Sequence, residues 1–450
     1  MVDAKALLTK FSHPVPRYTS YPTAPQFRPG TAQRDMEHTL GNVGSQPVSL
    51  YVHIPYCNRL CWFCGCNTKH TLRYAPVRAY VDTLLLEIEQ VAGKMQHKAD
   101  LARIHFGGGS PSILQPEDVL RIGEALEHAF SIRYDAEISV ELDPAAIPSG
   151  TLGAYRSIGM NRASLGVQDF APKVQQAINR PQSYEDTADV IQQLRSLGVR
   201  SLNLDALYGL PFQTVETVQS TMDQVVSLAP NRIALFGYAH VPWMKPHQKM
   251  IPQAALPDAL TRYEQSKAAS DRLIGAGYVP VGIDHFAKWD EELALAASTD
   301  QLHRNFQGYT TDPCETLIGL GASAISRFPT CFVQNEPATA NWRARVEAGA
   351  MAAAKSCQLD DDDHLRGWAI ERLMCDFAIP MLDLSERFGS TGADLAEELA
   401  ELAAREQDGL CEISDGRFII PDDARAFTRI VAARLDAYLD QGPARYSQAV

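Results

Sequence analysis

Between residue 48 and about residue 325, short apolar and β-branched runs alternate with longer stretches whose apolar residues recur at helical spacing. The runs are 48–54, 103–106, 136–141, 162–167, 201–207 and 231–236. Of the stretches between them, 77–93 sets Leu84, Leu85, Ile88 and Val91 on one face, and 184–197 does the same with Val190, Ile191 and Leu194. Strand followed by helix, six times over, predicts an α/β fold with parallel strands inside and helices outside. No strand runs into a dinucleotide fingerprint, so a complete or partial β/α barrel is preferred to a doubly wound sheet.

The flanks read differently. Prolines 14, 16, 22, 25 and 29 crowd residues 1–45 and resist both helix and central strand, which predicts an extended arm. The segment 277–286 adds strand material, whereas 304–311 and 319–326 read as glycine-containing loops that approach a ligand closely. After the acidic run Asp360 to Asp363, short helices, a hairpin over 409–420 turning at Asp415-Gly416 and a helix over 424–439 outline a small winged-helix-like domain. The predicted division is arm 1–45, barrel and extension 46–350, and helical cover domain 351–450. No internal repeat or low-complexity tract stands out.

Composition narrows the class. A chain of 450 residues, 45% apolar, can bury a large interior. Met1 to Lys10 lack the apolar core of a secretory signal and no apolar run reaches 18 residues, so a soluble, cytoplasmic protein without membrane contact is expected. Nine cysteines, an odd number with five of them scattered, fit a reducing compartment better than an extracellular disulfide framework. A net charge of −13 argues against nucleic acid. Its distribution is uneven: residues 1–81 hold nine Lys or Arg against Asp3, Asp35 and Glu37, whereas 351–450 hold ten against twenty acids. The basic end suits an anionic small molecule, although chance clustering on a solvated surface would look the same. Nothing points to more than a monomer.

The chemistry gathers where strands end, as it does in β/α barrels. These ends are Gly107-Gly108-Gly109-Ser110, Glu141-Leu142-Asp143, Gly166-Val167-Gln168, Asp205 before Tyr208-Gly209, and Tyr238-Ala239-His240. The first strand leads into Cys57-x3-Cys61-x2-Cys64-x-Cys66, four of the nine cysteines on one loop. Such thiolates can hold zinc or an iron–sulfur cluster, or serve as redox thiols. The second ligand pair usual for structural zinc does not follow Cys66. Three thiolates on one short loop can cap three corners of a 4Fe–4S cube and leave the fourth iron to a small molecule.

The Cys57-x3-Cys61-x2-Cys64 spacing is that of the radical SAM superfamily, whose members reductively cleave S-adenosylmethionine on a 4Fe–4S cluster. Together with Tyr51-Val52-His53-Ile54-Pro55, Cys64-Gly65-Cys66-Asn67, Arg17-Tyr18-Thr19-Ser20-Tyr21-Pro22-Thr23 and Asn305-Phe306-Gln307-Gly308-Tyr309-Thr310-Thr311, it resembles the oxygen-independent coproporphyrinogen III oxidases, also called coproporphyrinogen III dehydrogenases, across nearly the whole chain. The resemblance implies a partial (β/α)6-type radical SAM barrel with an N-terminal arm and a C-terminal cover domain. It implies that Cys57, Cys61 and Cys64 bind one 4Fe–4S cluster and that Cys66 does not. It also implies that Tyr51, Phe63, Gly108, Gly109, Ser110, Glu141, Gln168, Arg180, Asp205, Ala239 and Ile325 line two S-adenosylmethionine sites, with Tyr51, Cys66 and Glu141 in catalytic positions. The family has threonine where Ser110 stands, and the hydroxyl survives.

Each role has a plainer rival. The glycines serve equally as a tight βα turn, Glu141 and Arg180 as a solvated barrel rim, and His53 as a core residue. The implied activity is conversion of two propionates of coproporphyrinogen III to vinyl groups, giving protoporphyrinogen IX in anaerobic haem synthesis, with an external reductant and electron acceptor. Arg17, Arg28, Arg59, Lys69 and Arg73 are candidate propionate partners, and the arm carrying Tyr18 and Tyr21 is expected to close over the site. Three rival functions stand beside this one. A haem chaperone of the same superfamily would end its loop Cys-Asp-Phe and lack the arm; a haem-degrading radical methyltransferase and a zinc protein are the remaining two.

Overall fold

The computed structural model describes residues 4–11, 13–439 and 446. The six runs become parallel strands β1 (Val48–Ile54), β2 (Asp100–Gly108), β3 (Ser131–Leu142), β4 (Arg162–Gln168), β5 (Ser201–Tyr208) and β6 (Arg232–Gly237), side by side in chain order. Helices Ala75–Ala92, Pro116–Ala129, Thr151–Ser157, Tyr184–Ser196 and Val215–Ser227 fall between them, and Ala259–Gly275 follows β6. Helix Ala75–Ala92 shows why the pattern works. Val77, Tyr80, Val81, Leu84, Ile88 and Val91 all bury against the sheet, each aliphatic chain contributing about 1.5–3 kcal/mol.

A seventh parallel strand, β7 (Leu317–Leu320), pairs with the free side of β1, Ser49 opposite Leu317 and Tyr51 opposite Gly319. The reading of 319–326 as a ligand-approaching loop is therefore corrected. Gly319 is needed where β7 folds back on the antiparallel strand Ile325–Phe328, since a Cβ there would stand 2.8 Å from the Ile325 carbonyl carbon. The expected loop at 304–311 is likewise a hairpin, His303–Asn305 against Gly308–Thr310. The barrel stays open. Antiparallel strands extend both sides, Ile325–Phe328, Cys331–Asn335 and Ala353–Gln358 beyond β7, His285–Lys288 and Tyr278–Val281 beyond β6.

The N-terminal expectation is half corrected. The prolines do hold 14–31 largely extended, but helices Ala4–Phe11 and Ala32–Gly41 flank that stretch. The second starts after the last proline and buries Ala32, Met36 and Leu40 at four-residue spacing. The first sends Leu7, Leu8 and Phe11 into a core shared with the C-terminal helices, which Val15, Tyr18 and Tyr21 also join.

At the other end, the acidic run starts helix Asp361–Asp376: Asp360 accepts from the Asp363 N–H while Asp363 accepts from the Asp360 N–H. Helix Met381–Arg405, bent at Gly389, and a hairpin of Glu412–Ser414 and Arg417–Ile419 complete the winged outline. Asp415 and Gly416 both have positive φ, 48° and 72°, as a type I′ turn requires. The helix expected over 424–439 is instead a 3-10 turn, the short helix Thr428–Ala432 and another 3-10 turn ending at Leu435. It stops where the Asp436 carboxylate accepts from the Tyr18 hydroxyl and the Tyr438 N–H, side-chain bonds that compete with helical ones.

Candidate active site

The cysteine loop leaves β1 and is held from three sides. Tyr56–Cys57 forms a short parallel ladder with Lys69–His70. The Trp62 N–H donates to Ile178 O at 2.9 Å and Asn179 Nδ2 donates to Leu60 O at 2.9 Å. From the segment after β6, Gln248 Nε2 donates to Phe63 O (2.9 Å), His247 Nε2 to Cys64 O (2.8 Å) and Lys245 Nζ to Cys66 O (2.9 Å). This clamp was invisible in the sequence, because nothing in the spacing of Lys245, His247 and Gln248 ties them to a loop some 180 residues away.

All the cysteines are free thiols. Burial pushes the Cys57 thiol up to about 12, and the Thr68 hydroxyl lies 3.1 Å from it. Arg180 Nη1 donates to Cys61 Sγ at 3.4 Å. Cys64 is lowered by the thiol of Cys66 and by its backbone N–H at 3.4 Å; Cys66, donating to that sulfur, is raised and stands exposed. Among the described residues no three His, Cys, Asp or Glu side chains meet at a point for a single ion. Three unbridged thiols on one loop, with Arg180 to balance thiolate charge, fit the wider spread of ligands around a multi-iron cluster.

Next to the loop, β1, β2 and β3 build a polar corner. His53 Nε2 donates to Asn67 O (3.0 Å), which leaves Nδ1 to accept from the Tyr51 hydroxyl (2.9 Å). Burial holds this imidazole below its ordinary pKa, hence neutral. Tyr51 stacks on His105, rings 5.8 Å apart, and His105 Nε2 lies 3.0 Å from Glu141 Oε1. Burial alone would raise the Glu141 carboxyl, but the bond and charge of His105 and the Gly108 N–H at 3.1 Å hold it below the usual range, hence ionised. The glycines are packed for contact. A Cβ on Gly107 would meet Glu141 at 2.9 Å, on Gly108 (φ 118°) His53 at 2.6 Å, and on Gly109 Thr68 at 2.7 Å. The Gly108 and Gly109 N–H groups are already engaged, by Glu141 Oε2 and Ile54 O.

Other predicted residues gather on the same rim. Buried Arg180 donates to Gly166 O (2.7 Å) and Asp143 (3.2 Å), and Arg59 also reaches Asp143. Gln168 ends β4 with φ 68°, and a Cβ on Gly166 would meet its Nε2 at 2.9 Å and Arg180 Nη2 at 3.0 Å. The Ser110 hydroxyl, 2.6 Å from Ser112 Oγ, is buried in the turn after β2. Asp205, bonded to Asn203 and Ser164, is pushed up to about 6 by burial and by the charge of Glu141. Ala239 shares Gln248 with Phe63. Ile325 is one strand from Tyr51, across Gly319.

Two cavities meet these groups. One of about 240 Å3 lies inside the sheet among His105, Ser139, Glu141, Ser164, Asp205 and Gln307. A larger one, about 1090 Å3, opens between the ends of β5 and β6, the N-terminal arm and the C-terminal domain. Of the candidate propionate partners only Arg17 lines it. Arg28 donates to Pro25 O, Arg59 to Pro181 O and Lys69 to the Thr339 hydroxyl, while Arg73 is exposed. Tyr18 and Tyr21 are buried in the C-terminal core, so they fasten the arm instead of covering a ligand.

Comparison with known proteins gives a consistent result. Residues 51–225 match the model of the radical SAM superfamily and 359–427 that of the HemN C-terminal domain. The chain is 42% identical over 440 residues to an oxygen-independent coproporphyrinogen III oxidase of Cereibacter sphaeroides, covering 98% of this chain and 97% of that one. Its Bradyrhizobium diazoefficiens counterpart is 43% identical, with 97% of each covered. The solved coproporphyrinogen III oxidase of Escherichia coli superposes with a TM-score of 0.90 at 35% identity, over 97% of this chain and 100% of the other.

Proposed function

We propose, starting from the fact that this chain belongs to the oxygen-independent coproporphyrinogen III oxidases of the radical SAM superfamily, that it decarboxylates the ring A and B propionates of coproporphyrinogen III to vinyl groups and so yields protoporphyrinogen IX. The observation that carries the reading is the loop of Cys57, Cys61 and Cys64 at the end of β1, beside an ionised Glu141 and the glycine run, in a chain that matches this family end to end. Cys57, Cys61 and Cys64 are assigned to the 4Fe–4S cluster. When bound, the cluster and S-adenosylmethionine supply the one-electron chemistry that removes a propionate β-hydrogen.

The protein's own part is to bind, orient and keep water out. Glu141, ionised and fixed by His105 and Gly108, is an acceptor for an ammonium or a ribose hydroxyl. The Gly108 and Gly109 N–H groups are already bonded, and an ammonium, which only donates, would meet this backbone at a carbonyl. Arg180 anchors the Cys61 side, with its Nε buried and without a partner. Tyr51, Phe63, Ser110, Gln168, Asp205, Ala239 and Ile325 complete the lining, for two S-adenosylmethionine molecules. Neutral His53 holds the Tyr51 hydroxyl in place and gives up no proton. We assign a separate reductant for the cluster and a separate electron acceptor, a monomeric state, and a cytoplasmic location; no helix among the described residues is long and apolar enough to cross a membrane.

Anaerobic reconstitution with iron and sulfide, followed by dithionite, S-adenosylmethionine and coproporphyrinogen III, tests the reading. Protoporphyrinogen IX is expected. Cleavage of S-adenosylmethionine or binding of haem without decarboxylation would sink it.

A further inference from the structure

Among the cations that line the 1090 Å3 cavity, Arg262 and Arg304 keep buried guanidinium nitrogens without a partner. Arg304, on the strand His303–Asn305, is only 9% exposed. Its Nη2 reaches Arg17 O at a long 3.5 Å, its guanidinium lies 4.5 Å from the Tyr309 ring, and its Nε and Nη1 are buried without any hydrogen-bond partner. Arg262, on helix Ala259–Gly275, donates Nη1 to Tyr238 O at 2.8 Å, while its Nε is buried and unmet. Arg17, on the arm, donates Nη2 to Gly237 O at 3.1 Å. Among the described residues none of the three is ion-paired with a carboxylate.

The acids in the same lining are largely committed elsewhere. Asp258 accepts from the Thr261 N–H, Asp271 pairs with Lys267 and Asp422 with Arg425. Asp284 is bonded to His285 at 2.7 Å and its charge reaches Arg17, Arg304 and the half-buried Arg429 of the C-terminal domain. Asp423 also stands in the wall. Buried guanidinium donors without acceptors are costly and uncommon, and guanidinium is the group suited to fork-like pairing with carboxylate. Between these cations the wall is aromatic and aliphatic, with Phe236, Tyr238, Tyr263 and Ile283. The volume exceeds the need of a small inorganic anion and suits a drug-sized or larger ligand. The cavity also reaches Ala239, on the rim assigned to the cofactor.

We propose that this cavity is the binding site of a flat macrocycle with several carboxylates, and that Arg17, Arg262 and Arg304 are its carboxylate anchors. The assignment rests on the proposed function, in which the substrate is a tetracarboxylate. The anchors come from three separate parts of the chain, and the C-terminal domain closes the fourth side, so the substrate's acids would bridge the arm, the barrel mouth and the cover domain.

The test is equilibrium binding of coproporphyrin III, the fluorescent oxidised macrocycle with the same four carboxylates, to the reconstituted full chain, with its tetramethyl ester as the uncharged comparison. Arg17→Gln and Arg304→Gln should each weaken binding by about tenfold or more, the usual effect of losing a charge-assisted pair. Arg304→Lys should recover part of the loss, Arg28→Gln should bind like the parent chain, and the ester should bind weakly to all. Arg17→Gln, on the arm, keeps the test decisive where the buried Arg304 variants do not fold. Variants that bind within twofold of the parent chain, or an ester that binds as well as the acid, overturn the assignment. If the parent chain converts coproporphyrinogen III while the variants keep full affinity, the anchors alone are wrong; if it neither binds nor converts the macrocycle, the proposed function falls with them.

Discussion

At the scale of single residues, the four cysteines of one loop separate by environment. Cys61 is buried beneath Arg180 and Cys57 is half-buried beside Thr68, whereas Cys66 is exposed and serves Cys64 as a hydrogen-bond donor. Cys57→Ser, Cys61→Ser and Cys64→Ser should each abolish the visible absorbance of the reconstituted cluster, and Cys66→Ser should retain it; retention in any of the first three would remove that thiol from the ligand set. Gly108 carries a different constraint. Its φ of 118° is closed to side chains and a methyl group would stand 2.6 Å from the His53 ring. Gly108→Ala should therefore cost at least about 1–3 kcal/mol, seen as a lowered denaturation midpoint, together with weaker S-adenosylmethionine binding as His53 and Tyr51 are displaced. The cysteine spacing, Glu141 and Asp205 were legible because a strand-end rule points to them. Lys245, His247 and Gln248 were not, since they meet the loop only through tertiary packing.

At the scale of elements, helix Ala75–Ala92 does more than cover the sheet. Its Glu87, fully buried, accepts from the Gly321 N–H, Asn335 Nδ2 and Trp342 Nε1, so one carboxylate ties together the helix, the exit of β7, strand Cys331–Asn335 and helix Thr339–Glu347. Burial pushes this carboxyl up to about 7 in spite of those donors. The folded chain therefore holds a proton that the unfolded chain has released across the interval from about 4.5 to about 7. Its contribution to stability is greatest at the acid end and is lost as pH rises through 7, a fall on the order of 3 kcal/mol. Denaturant midpoints measured from pH 5.5 to 8 should decline, and the decline should flatten in Glu87→Gln; an unchanged slope in that variant would place the titrating group elsewhere. Periodicity announced this helix and its buried face, but a single polar residue on that face reads as an ordinary interruption until its three partners are seen.

At the scale of the whole molecule, the first half of the arm and the cover domain share one core. Reading the chain in order divides it at residues 45 and 350, because proline density and the acidic run mark those places, yet Leu7, Leu8, Phe11, Val15, Tyr18 and Tyr21 of the arm lie in the C-terminal core, while Ala32, Met36 and Leu40 join the core of the barrel. Alternation of strand and helix carried the barrel, including its order of strands. It did not carry β7, whose four residues include a glycine and are too few for a pattern, nor the first helix, whose apolar face has meaning only against a partner 350 residues away. The arrangement has a mechanical consequence. Tyr18 and Tyr21 bond to Asp436 and Ala437, Leu7, Leu8 and Phe11 pack on the same domain, and Arg17 between them reaches back to Gly237 at the barrel mouth. Loosening the arm should then act twice. Phe11→Ala removes only packing, at a cost of about 3–5 kcal/mol, and should make the C-terminal domain sensitive to limited proteolysis while the cluster absorbance, which depends on the loop that follows β1, stays intact. Deletion of residues 1–31 removes packing and Arg17 together, and should abolish turnover even where the barrel still binds its cluster. A deleted chain that turned over at the full rate would show that the arm neither braces the cover domain nor helps to hold the substrate.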